Sequence, residues 1–408
     1  MKVLRTLPIL AHFLHLSHHL CNANAVKKTD EEHAAALIAW LKKEGGYFNS
    51  KLEMRRVDPS DPTSFFGMFA NGSIPKEEML LRIPTSMVLD SAEEDPDLAS
   101  MTCPTVRNLN KQLKLKDESK YAPYVNYLLD TQPPGSIPSG WSENGKKLFT
   151  RVLGGEKSGD FPIPLPLSDD PFPWIDEWHD SCKGSNDPLE EYGALIVIQR
   201  SWDDVLIPVF DMMSHRNGHW LNTMHNDVHG DEDIEVKAKR DIEPNEQIYT
   251  SYNMCENCGG RVFTYGTPEI LREYGFVEQM PQSWIFHDDG FEFGFRLGEK
   301  DNENSEPSGI YVVTDWIFGD PDNDDVEMLN EMIEQIKRTK ETILNVRDKN
   351  VPDSEWQTIT NYIDAMKLAF EVAVQAVGEG YEIPVISEDD DEDDDDEDYY
   401  EEDDHDEL

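Results

Sequence analysis

The chain has 408 residues, with 83 acidic and 36 basic side chains and a formal net charge of −47. A surface this negative repels phosphate, which argues against nucleic-acid binding through a general basic surface and against docking on anionic membranes. It favours basic proteins, basic peptides or divalent cations as partners. Residues 388–408 contribute 17 acidic side chains and no Lys or Arg, yet residues 26–387 still carry −32. The imbalance is therefore a property of the body of the chain as well as of its end.

The N-terminus has the pattern of a secretory signal peptide. Lys2 and Arg5 give a positive start, residues 7–20 are broadly apolar, and the small-x-small pattern Ala-Asn-Ala follows at 23–25. Four histidines interrupt the apolar stretch, and the alternative is a frayed N-terminal helix. We predict a signal peptide at residues 1–25.

The first elements of the mature chain are a helix and two short strands. Residues 29–43 are amphipathic, begin with a capping box of Thr29 and Glu32, and end at Gly45-Gly46. Residues 64–70 and 78–83 are apolar and flank an Asn-Gly turn, which predicts two strands of a small antiparallel sheet.

Helical and strand-like patterns then alternate along the chain. Helical patterns occur at 100–155, with the clearest apolar repeat at 121–129, and again at 191–200, 324–347 and 354–377. Strand-like runs occur at 205–210, 234–238, 247–252 and 291–297, and residues 156–173 have the composition of an irregular loop. Pro352 and Asp353 separate the last two helices, which predicts an antiparallel pair.

The C-terminus predicts both disorder and a cellular address. The like charges of residues 385–408 cannot pack, so we expect an extended tail. It ends in His-Asp-Glu-Leu at 405–408, which matches the signal for retrieval to the endoplasmic reticulum. No second apolar run is long enough to span a membrane. We therefore predict a protein of the endoplasmic reticulum lumen that binds the retrieval receptor and does not cross the membrane.

The cysteines and one sequon bear on this location. Four cysteines remain beyond the signal peptide, with three possible pairings. For Cys255 and Cys258, which form a CxxC, we favour a local disulfide or two free thiols over a redox pair or half of a zinc site. Asn71-Gly72-Ser73 is an N-glycosylation sequon, usable in the same compartment.

Three segments carry the clearest functional pattern. They are residues 208–215 (PVFDMMSH), 239–252 (KRDIEPNEQIYTSY) and 274–278 (YGFVE). In this order and spacing they resemble the SET-domain methyltransferases, and in particular the branch that includes the plant Rubisco large-subunit lysine methyltransferase and its histidine-methylating relatives. Residues 66–70 and 74–84 resemble the opening hairpin of that domain, and Gln199-Arg200-Ser201 occupies the place of its Ser-Arg element.

The resemblance implies an α+β fold. A SET domain of small antiparallel sheets would span residues 26–281, with a helical insertion at about 100–200, and a C-terminal helical region would span 282–384 before the tail. It implies a protein N-methyltransferase that uses S-adenosylmethionine and accepts a basic protein substrate, on lysine or alternatively on histidine.

The resemblance also implies a role for each matching residue. The protein has to align a methyl donor with a neutral amine, exclude water, and accept hydrogen bonds from the amine. Tyr252 matches the tyrosine whose hydroxyl lies beside the methyl group, and Tyr274 would line the channel for the substrate side chain. The predicted cofactor-binding residues are Phe66, Gly67, Met68, Arg200, Ser214, His215 and Phe276.

Two departures from the family pattern support an alternative function. Ser214 stands where the family has asparagine, and Phe65 stands where it has a second glycine. The alternative is a catalytically weak SET-fold module that binds basic proteins or calcium. Two plainer roles also stand beside the family roles: Arg200 as the partner of a carboxylate, and Tyr252 as a packing residue.

A metal site was considered for the histidines at 215, 219, 225 and 229. The resemblance instead makes His215 a cofactor contact and leaves the other three in loops. The sequence analysis therefore predicts no metal.

Overall fold

The computed structural model describes residues 28–60, 64–90, 102–153, 170–202, 204–226, 228, 232–253, 265–288, 291–300, 311–316 and 321–378. The predicted signal peptide, the predicted tail with its retrieval signal, Cys255, Cys258 and His229 lie outside these residues. Within the described part of the chain, no helix is both long and apolar enough to cross a bilayer.

Helix α1 (Asp30–Lys43) begins at the predicted capping box. The Thr29 hydroxyl accepts a hydrogen bond from the amide of Glu32, and the Glu32 carboxylate accepts one from the amide of Thr29. Acidic residues fill the first turn and lysines the last, which complements the helix dipole. Leu37 and Leu41 are fully buried, so the apolar face of α1 packs on the core as its periodicity predicts.

The first strands pair differently from the expected hairpin. The four strands are β1 (Tyr47–Phe48), β2 (Leu52–Arg56), β3 (Phe66–Ala70) and β4 (Met79–Ile83). Strand β3 pairs with β2, which the sequence analysis did not predict, and β4 pairs with β1. Both predicted strands are present, but the hairpin that the resemblance implies between residues 66–70 and 74–84 is not formed. After β3 the chain turns away, because Ile74 pairs with Ile242 and directs β4 into another sheet.

Helices α2 to α6 lie at about the position of the predicted insertion. They are α2 (Cys103–Leu115), α3 (Ala122–Thr131), α4 (Glu143–Val152), α5 (Pro173–Asp180) and α6 (Pro188–Arg200). A disulfide joins Cys103, the first residue of α2, to Cys182 just after α5. Both cysteines are buried, and the bond closes a loop with a sequence separation of 79. The sequence left three pairings open, and the structure contains this one.

Short strands return after α6. They are β5 (Ser201–Trp202), β6 (Val205–Leu206), β7 (Ser214–His215), β8 (Thr223–His225), β9 (Ile234–Ala238) and β10 (Tyr249–Thr250), followed by helix α7 (Thr267–Tyr274). The alternation at 234–238 is confirmed, because Ile234, Val236 and Ala238 are fully buried. Strand β9 lies between β4 and β8 in a four-stranded antiparallel sheet of order β1-β4-β9-β8. This sheet joins segments from both sides of the helical insertion.

The C-terminal region contains a sheet as well as helices. Strands β11 (Gln282–Asp288), β12 (Phe291–Lys300) and β13 (Tyr311–Trp316) form an antiparallel sheet in that order, and helices α8 (Asn323–Thr342) and α9 (Asp353–Gly378) follow. The sequence analysis predicted only the middle strand of the three. Trp284 packs against Tyr362 and Phe370 of α9, with ring centroids 5.7 and 5.9 Å away. The two predicted helices are confirmed as a packed pair.

Helix α4 of the insertion packs on α9 of the C-terminal region. The ring of Phe149 lies edge-on to Tyr362, 5.9 Å between centroids. The buried carboxylate of Glu355 accepts hydrogen bonds from the amide and the hydroxyl of Ser142 at 2.9 and 2.7 Å, just before α4 begins. Helix α4 of the insertion and the C-terminal helices thus share one apolar core.

Glu269 on α7 gives the fold a pH-dependent stability. Its carboxylate accepts a hydrogen bond from the amide of Gly266, and burial raises its pKa from the ordinary 4.5 to about 7. The folded state therefore binds this proton more tightly than the unfolded chain does, and the free energy of unfolding falls as the pH rises through 4.5–7. We expect wild type to lose about 2 kcal/mol between pH 5 and pH 8 that Glu269→Gln does not lose.

Denaturant unfolding of both proteins across this pH range measures the difference. Comparing the two removes the contribution of every other titrating group. An identical pH dependence in wild type and Glu269→Gln would contradict the prediction.

Candidate active site

A parallel pair of two-residue strands organises the site. Strand β7 pairs with β10, so that Ser214 lies opposite Tyr249 and His215 opposite Thr250. The chain continues from β10 directly to Tyr252. Two segments far apart in sequence therefore place His215 and Tyr252 side by side, with ring centroids 5.0 Å apart.

Four aromatic rings meet at this point. The ring of Tyr274, at the end of α7, lies 4.6 Å from that of Tyr252, and Phe276 lies 6.4 Å from Tyr252 and 6.1 Å from His215. Gly275 lies between Tyr274 and Phe276 in the sequence, and its left-handed φ of +81° ends α7. We call His215, Tyr252, Tyr274 and Phe276 the aromatic cluster. The structure thus brings together four of the residues that the sequence analysis proposed for catalysis, the channel and the cofactor.

The hydroxyl of Tyr252 is held by the backbone. It donates a hydrogen bond to the carbonyl oxygen of Met213 at 2.6 Å. Burial raises the pKa of this phenol above its ordinary value of 10. The side chain therefore stays protonated at neutral pH, and its oxygen keeps lone pairs that can accept a hydrogen bond from another group.

The imidazole of His215 lies between Tyr252 and a buried carboxylate. Its Nδ1 accepts a hydrogen bond from the amide of Tyr252 at 3.0 Å, and its Nε2 lies 2.8 Å from Oε1 of Glu278. Because Nδ1 accepts, Nε2 carries the proton and donates it to Glu278. The side chains of His215 and Glu278 are each 1 % exposed.

Strand β3 approaches the site through a glycine. A Cβ atom added to Gly67 would lie 2.8 Å from Nε2 of Gln247 and 3.5 Å from the hydroxyl of Ser214. The side chain of Gln247 donates to that hydroxyl at 2.7 Å and accepts from the hydroxyl of Tyr249 at 2.9 Å. Gln247 therefore supplies an amide group next to Ser214. The sequence analysis did not predict this residue.

Comparison with protein families assigns this part of the chain. The family model described as "SET domain" matches residues 66–253. The chain contains a SET domain. The matched region begins at the first residue of β3 and ends one residue after Tyr252, and it includes the insertion with helices α2 to α6.

The solved structures similar to this chain include three of LSMT, each with bound ligands. The SET domain of LSMT bound to lysine and AdoHcy has a TM-score of 0.45 at 12% identity, covering 86% of this chain and 94% of that chain. Rubisco LSMT bound to sinefungin and monomethyllysine scores 0.48 at 12% identity, covering 85% and 92%. Rubisco LSMT bound to AdoMet scores 0.47 at 12% identity, covering 85% and 93%. Among curated protein sequences, none matches this chain significantly.

Arg200 of the SET domain is bound on several sides. Its guanidinium donates to the carboxylate of Asp211 at 3.0 Å and to the side-chain oxygen of Gln132 at 2.7 Å, and Tyr124 donates to the same carboxylate at 2.7 Å. The plainer role of Arg200, as the partner of a carboxylate, is therefore present in the structure. Its contact with the cofactor stays a prediction. The network joins α3 and α6 of the insertion to Asp211, which lies beyond the insertion, so it fixes the insertion on the rest of the SET domain.

The surroundings of strand β3 and of Phe65 are also defined. The carbonyl of Met68 accepts a hydrogen bond from the amide of Ile248 at 2.8 Å, which ties β3 to the segment before β10. Phe66 is half-buried and Met68 fully buried. The side chain of Phe65 is 82 % exposed, so its ring does not fill the space between β3 and β7.

The two other described histidines of the group considered for a metal site, at 219 and 225, have aromatic neighbours, and His225 ends strand β8 instead of lying in a loop as predicted. His225 lies edge-on to Trp202 and Phe210, and the ring of His219 lies 4.6 Å from that of Trp220. Among the described residues, no group of three or more His, Cys, Asp or Glu side chains is arranged to hold a metal ion.

Glu278 is the functional candidate that the sequence analysis missed. It lies in the quoted segment 274–278, where it was given no role. The signal was present in the residue type, because an acid directly after Phe276-Val277 would be buried with the apolar residues and would need donors there. The partners of that acid, however, come from two other places in the chain and could not be read from one segment.

Proposed function

We propose that this chain is an S-adenosylmethionine-dependent protein N-methyltransferase that acts on lysine. The observation that carries the proposal is the Tyr252 hydroxyl, fixed on the carbonyl of Met213 inside the aromatic cluster of a SET domain. Histidine is the alternative acceptor, because it also offers a neutral nitrogen inside a narrow aromatic channel.

The residues around Gly67 fit the cofactor. The missing side chain at Gly67 keeps β3 close to Ser214 and Gln247, which together offer a hydroxyl and an amide for the cofactor's polar groups. Phe66, Gly67, Met68, Ser214 and His215 would hold it, with Arg200 and Phe276 at the edges of the site. When bound, S-adenosylmethionine supplies an electrophilic methyl group on a sulfonium.

Tyr252 would orient the acceptor amine. Its own proton is donated to Met213, so the phenol oxygen can accept a hydrogen bond from an amine N–H. That bond would turn the nitrogen lone pair toward the donor side of the site. The aromatic rings, of which His215 is buried and the other three half-buried, favour the neutral amine over the ammonium, because desolvation disfavours the charged form. The ammonium form of the substrate would therefore release one proton before the transfer, and the neutral nitrogen would form its bond to the methyl carbon as the carbon–sulfur bond of the cofactor breaks.

The charge of the chain supports a basic protein as the substrate. Residues 26–387 carry −32, and a field of this sign attracts basic segments and accelerates their association. Methylation of basic peptides should therefore weaken as the salt concentration rises, while methylation of a neutral peptide containing one lysine changes less.

Calorimetry with S-adenosylmethionine and incubation with labelled cofactor and lumenal proteins test the enzymatic function. Binding and labelled protein are the expected results, and their joint absence would contradict the proposal. Ser214 in place of the family's asparagine favours one competing function, a SET-fold module that holds basic proteins or calcium. Binding of a basic peptide or calcium without binding of the cofactor would establish that function instead.

We also propose that the protein resides in the lumen of the endoplasmic reticulum and binds the retrieval receptor. The signal-peptide pattern, the His-Asp-Glu-Leu end and the Cys103–Cys182 disulfide support this location, because disulfides persist in oxidising compartments.

Glycosylation of Asn71 tests the location directly. Asn71 is exposed at the turn that follows β3, and Ser73 of the sequon is exposed as well. We expect the full chain, expressed in eukaryotic cells, to carry one glycan of the high-mannose type that endoglycosidase H removes. Asn71→Gln should migrate like the enzyme-treated wild type. A wild-type chain that keeps its mobility after the enzyme, and matches Asn71→Gln without it, would argue against lumenal residence.

A further inference from the structure

We infer that Glu278 is a positioning residue that holds the catalytic tyrosine through His215. The inference rests on the proposed function, because it assigns Tyr252 to catalysis. Among the described residues, the hydrogen bonds of the Glu278 carboxylate reach His215, Asn217 and Thr267, so its link to Tyr252 runs through His215.

The carboxylate of Glu278 has a full set of donors. On Oε1 it accepts from Nε2 of His215 at 2.8 Å and from the side-chain amide of Asn217 at 3.0 Å. On Oε2 it accepts from the hydroxyl of Thr267 at 2.7 Å. A carboxylate this deeply buried is costly unless such bonds satisfy it. Three donors from two separate segments, 215–217 and the start of α7, therefore converge on one side chain.

The bond to His215 decides which ring nitrogen is protonated. With Glu278 as the acceptor, the proton resides on Nε2, and Nδ1 is left to accept the amide of Tyr252. Without an acceptor at this position, the proton could move to Nδ1. Two N–H groups would then face each other at 3.0 Å, and the backbone of Tyr252 would be displaced.

Displacement of that backbone reaches the reacting group directly. The Tyr252 hydroxyl is anchored at its other end by the carbonyl of Met213, one residue before β7. Tyr252 is thus held at its backbone amide and at its hydroxyl by residues 213–215, and Glu278 controls the first of these two attachments. Small errors of placement at a reacting group lower the rate strongly, because alignment is a large part of catalysis.

Thr267 extends the same chain of hydrogen bonds to helix α7. It is the first residue of α7, and its hydroxyl also accepts the amide of Ser283 at 3.2 Å. Helix α7 carries Tyr274 at its other end. Glu278 therefore connects helix α7, through Thr267, and Tyr252, through His215, to one carboxylate.

The test compares two substitutions of Glu278 with two of Glu355, a carboxylate that is also buried and doubly hydrogen-bonded but lies on α9. Glu278→Gln keeps an oxygen that can accept from His215 and should lose no more than about threefold in kcat. Glu278→Leu removes the acceptor and should lower kcat by about 10- to 100-fold, with the KM for the protein substrate changing much less. Glu355→Gln and Glu355→Leu should reduce stability without lowering kcat.

The tautomer of His215 provides a readout that needs no catalysis. Nitrogen-15 NMR of the full chain, with His215→Asn used to assign the signal, should show a proton on Nε2 in wild type and in Glu278→Gln. A proton on Nδ1 in wild type would overturn the inference, and so would an unchanged kcat in a folded Glu278→Leu. If wild type binds no cofactor and transfers no methyl group, the proposed function fails, and the catalytic part of this inference fails with it. The nitrogen signals report separately whether Glu278 fixes the ring.

Discussion

Replacing Tyr252 with phenylalanine is expected to lower kcat for methyl transfer by about 100-fold or more. The substitution removes the only polar atom of the side chain and with it the bond to the carbonyl of Met213 at 2.6 Å. The ring itself can keep its packing on His215 and Tyr274, so cofactor affinity should change little. Transfer of a labelled methyl group measures the rate, and calorimetry measures the affinity.

Tyr121→Phe is the matched control for this experiment. Tyr121 is buried where Tyr252 is half-buried, and its hydroxyl also donates to a backbone carbonyl, that of Val88 at 2.9 Å, but it lies outside the aromatic cluster. Both variants should lose a similar free energy of unfolding, about 1 kcal/mol. Only Tyr252→Phe should lose activity. Equal kcat values for wild type and Tyr252→Phe would show that Tyr252 is a packing residue.

The second large effect concerns the disulfide between Cys103 and Cys182. It closes a loop with a sequence separation of 79 and so restricts the unfolded chain. In the chain-entropy model, a loop of this size contributes about 4 kcal/mol to the free energy of unfolding. We expect the double variant with serine at both positions to lose about that much in denaturant unfolding.

Reductant provides the control for the disulfide. Wild type should lose stability on reduction and approach the double variant, whereas the double variant should hardly respond. If the double variant lost as much stability on reduction as wild type does, the effect of reductant would come from other cysteines. Equal stability of wild type and double variant under oxidising conditions would contradict the prediction.

The accuracy of the sequence analysis depended on how local each feature is. Helix α1 was predicted with its capping box, because both partners of the box lie within one turn. Strand β9 was predicted because its apolar and polar residues alternate in step with its buried and half-buried side chains. Strand β2 was missed, because two arginines occupy its end and hide its alternation. One of them, Arg55, lies 3.6 Å over the ring of Phe69 and is therefore partly covered.

Some residues of the candidate site were predicted and others were missed, for the same reason. The resemblance identified His215, Tyr252, Tyr274 and Phe276, and the structure brings them together, because the order of motifs reflects how the segments meet in space. It could not identify Gln247 or Glu278. Gln247 bonds Ser214, 33 residues away, and Glu278 bonds His215, 63 residues away, and such pairings follow from tertiary contacts that no local pattern contains.

The contact of α4 with α9 determines how the chain can be divided. Residues 142–152 lie within the helical insertion, yet Phe149 is buried against Tyr362, and Ser142 is bonded to Glu355. A chain ending at residue 281 would expose Phe149 to water and leave Ser142 without these bonds. The region after residue 281 therefore completes the folding unit that contains the insertion, and separating the two by proteolysis or truncation would cost the catalytic half part of its own interior.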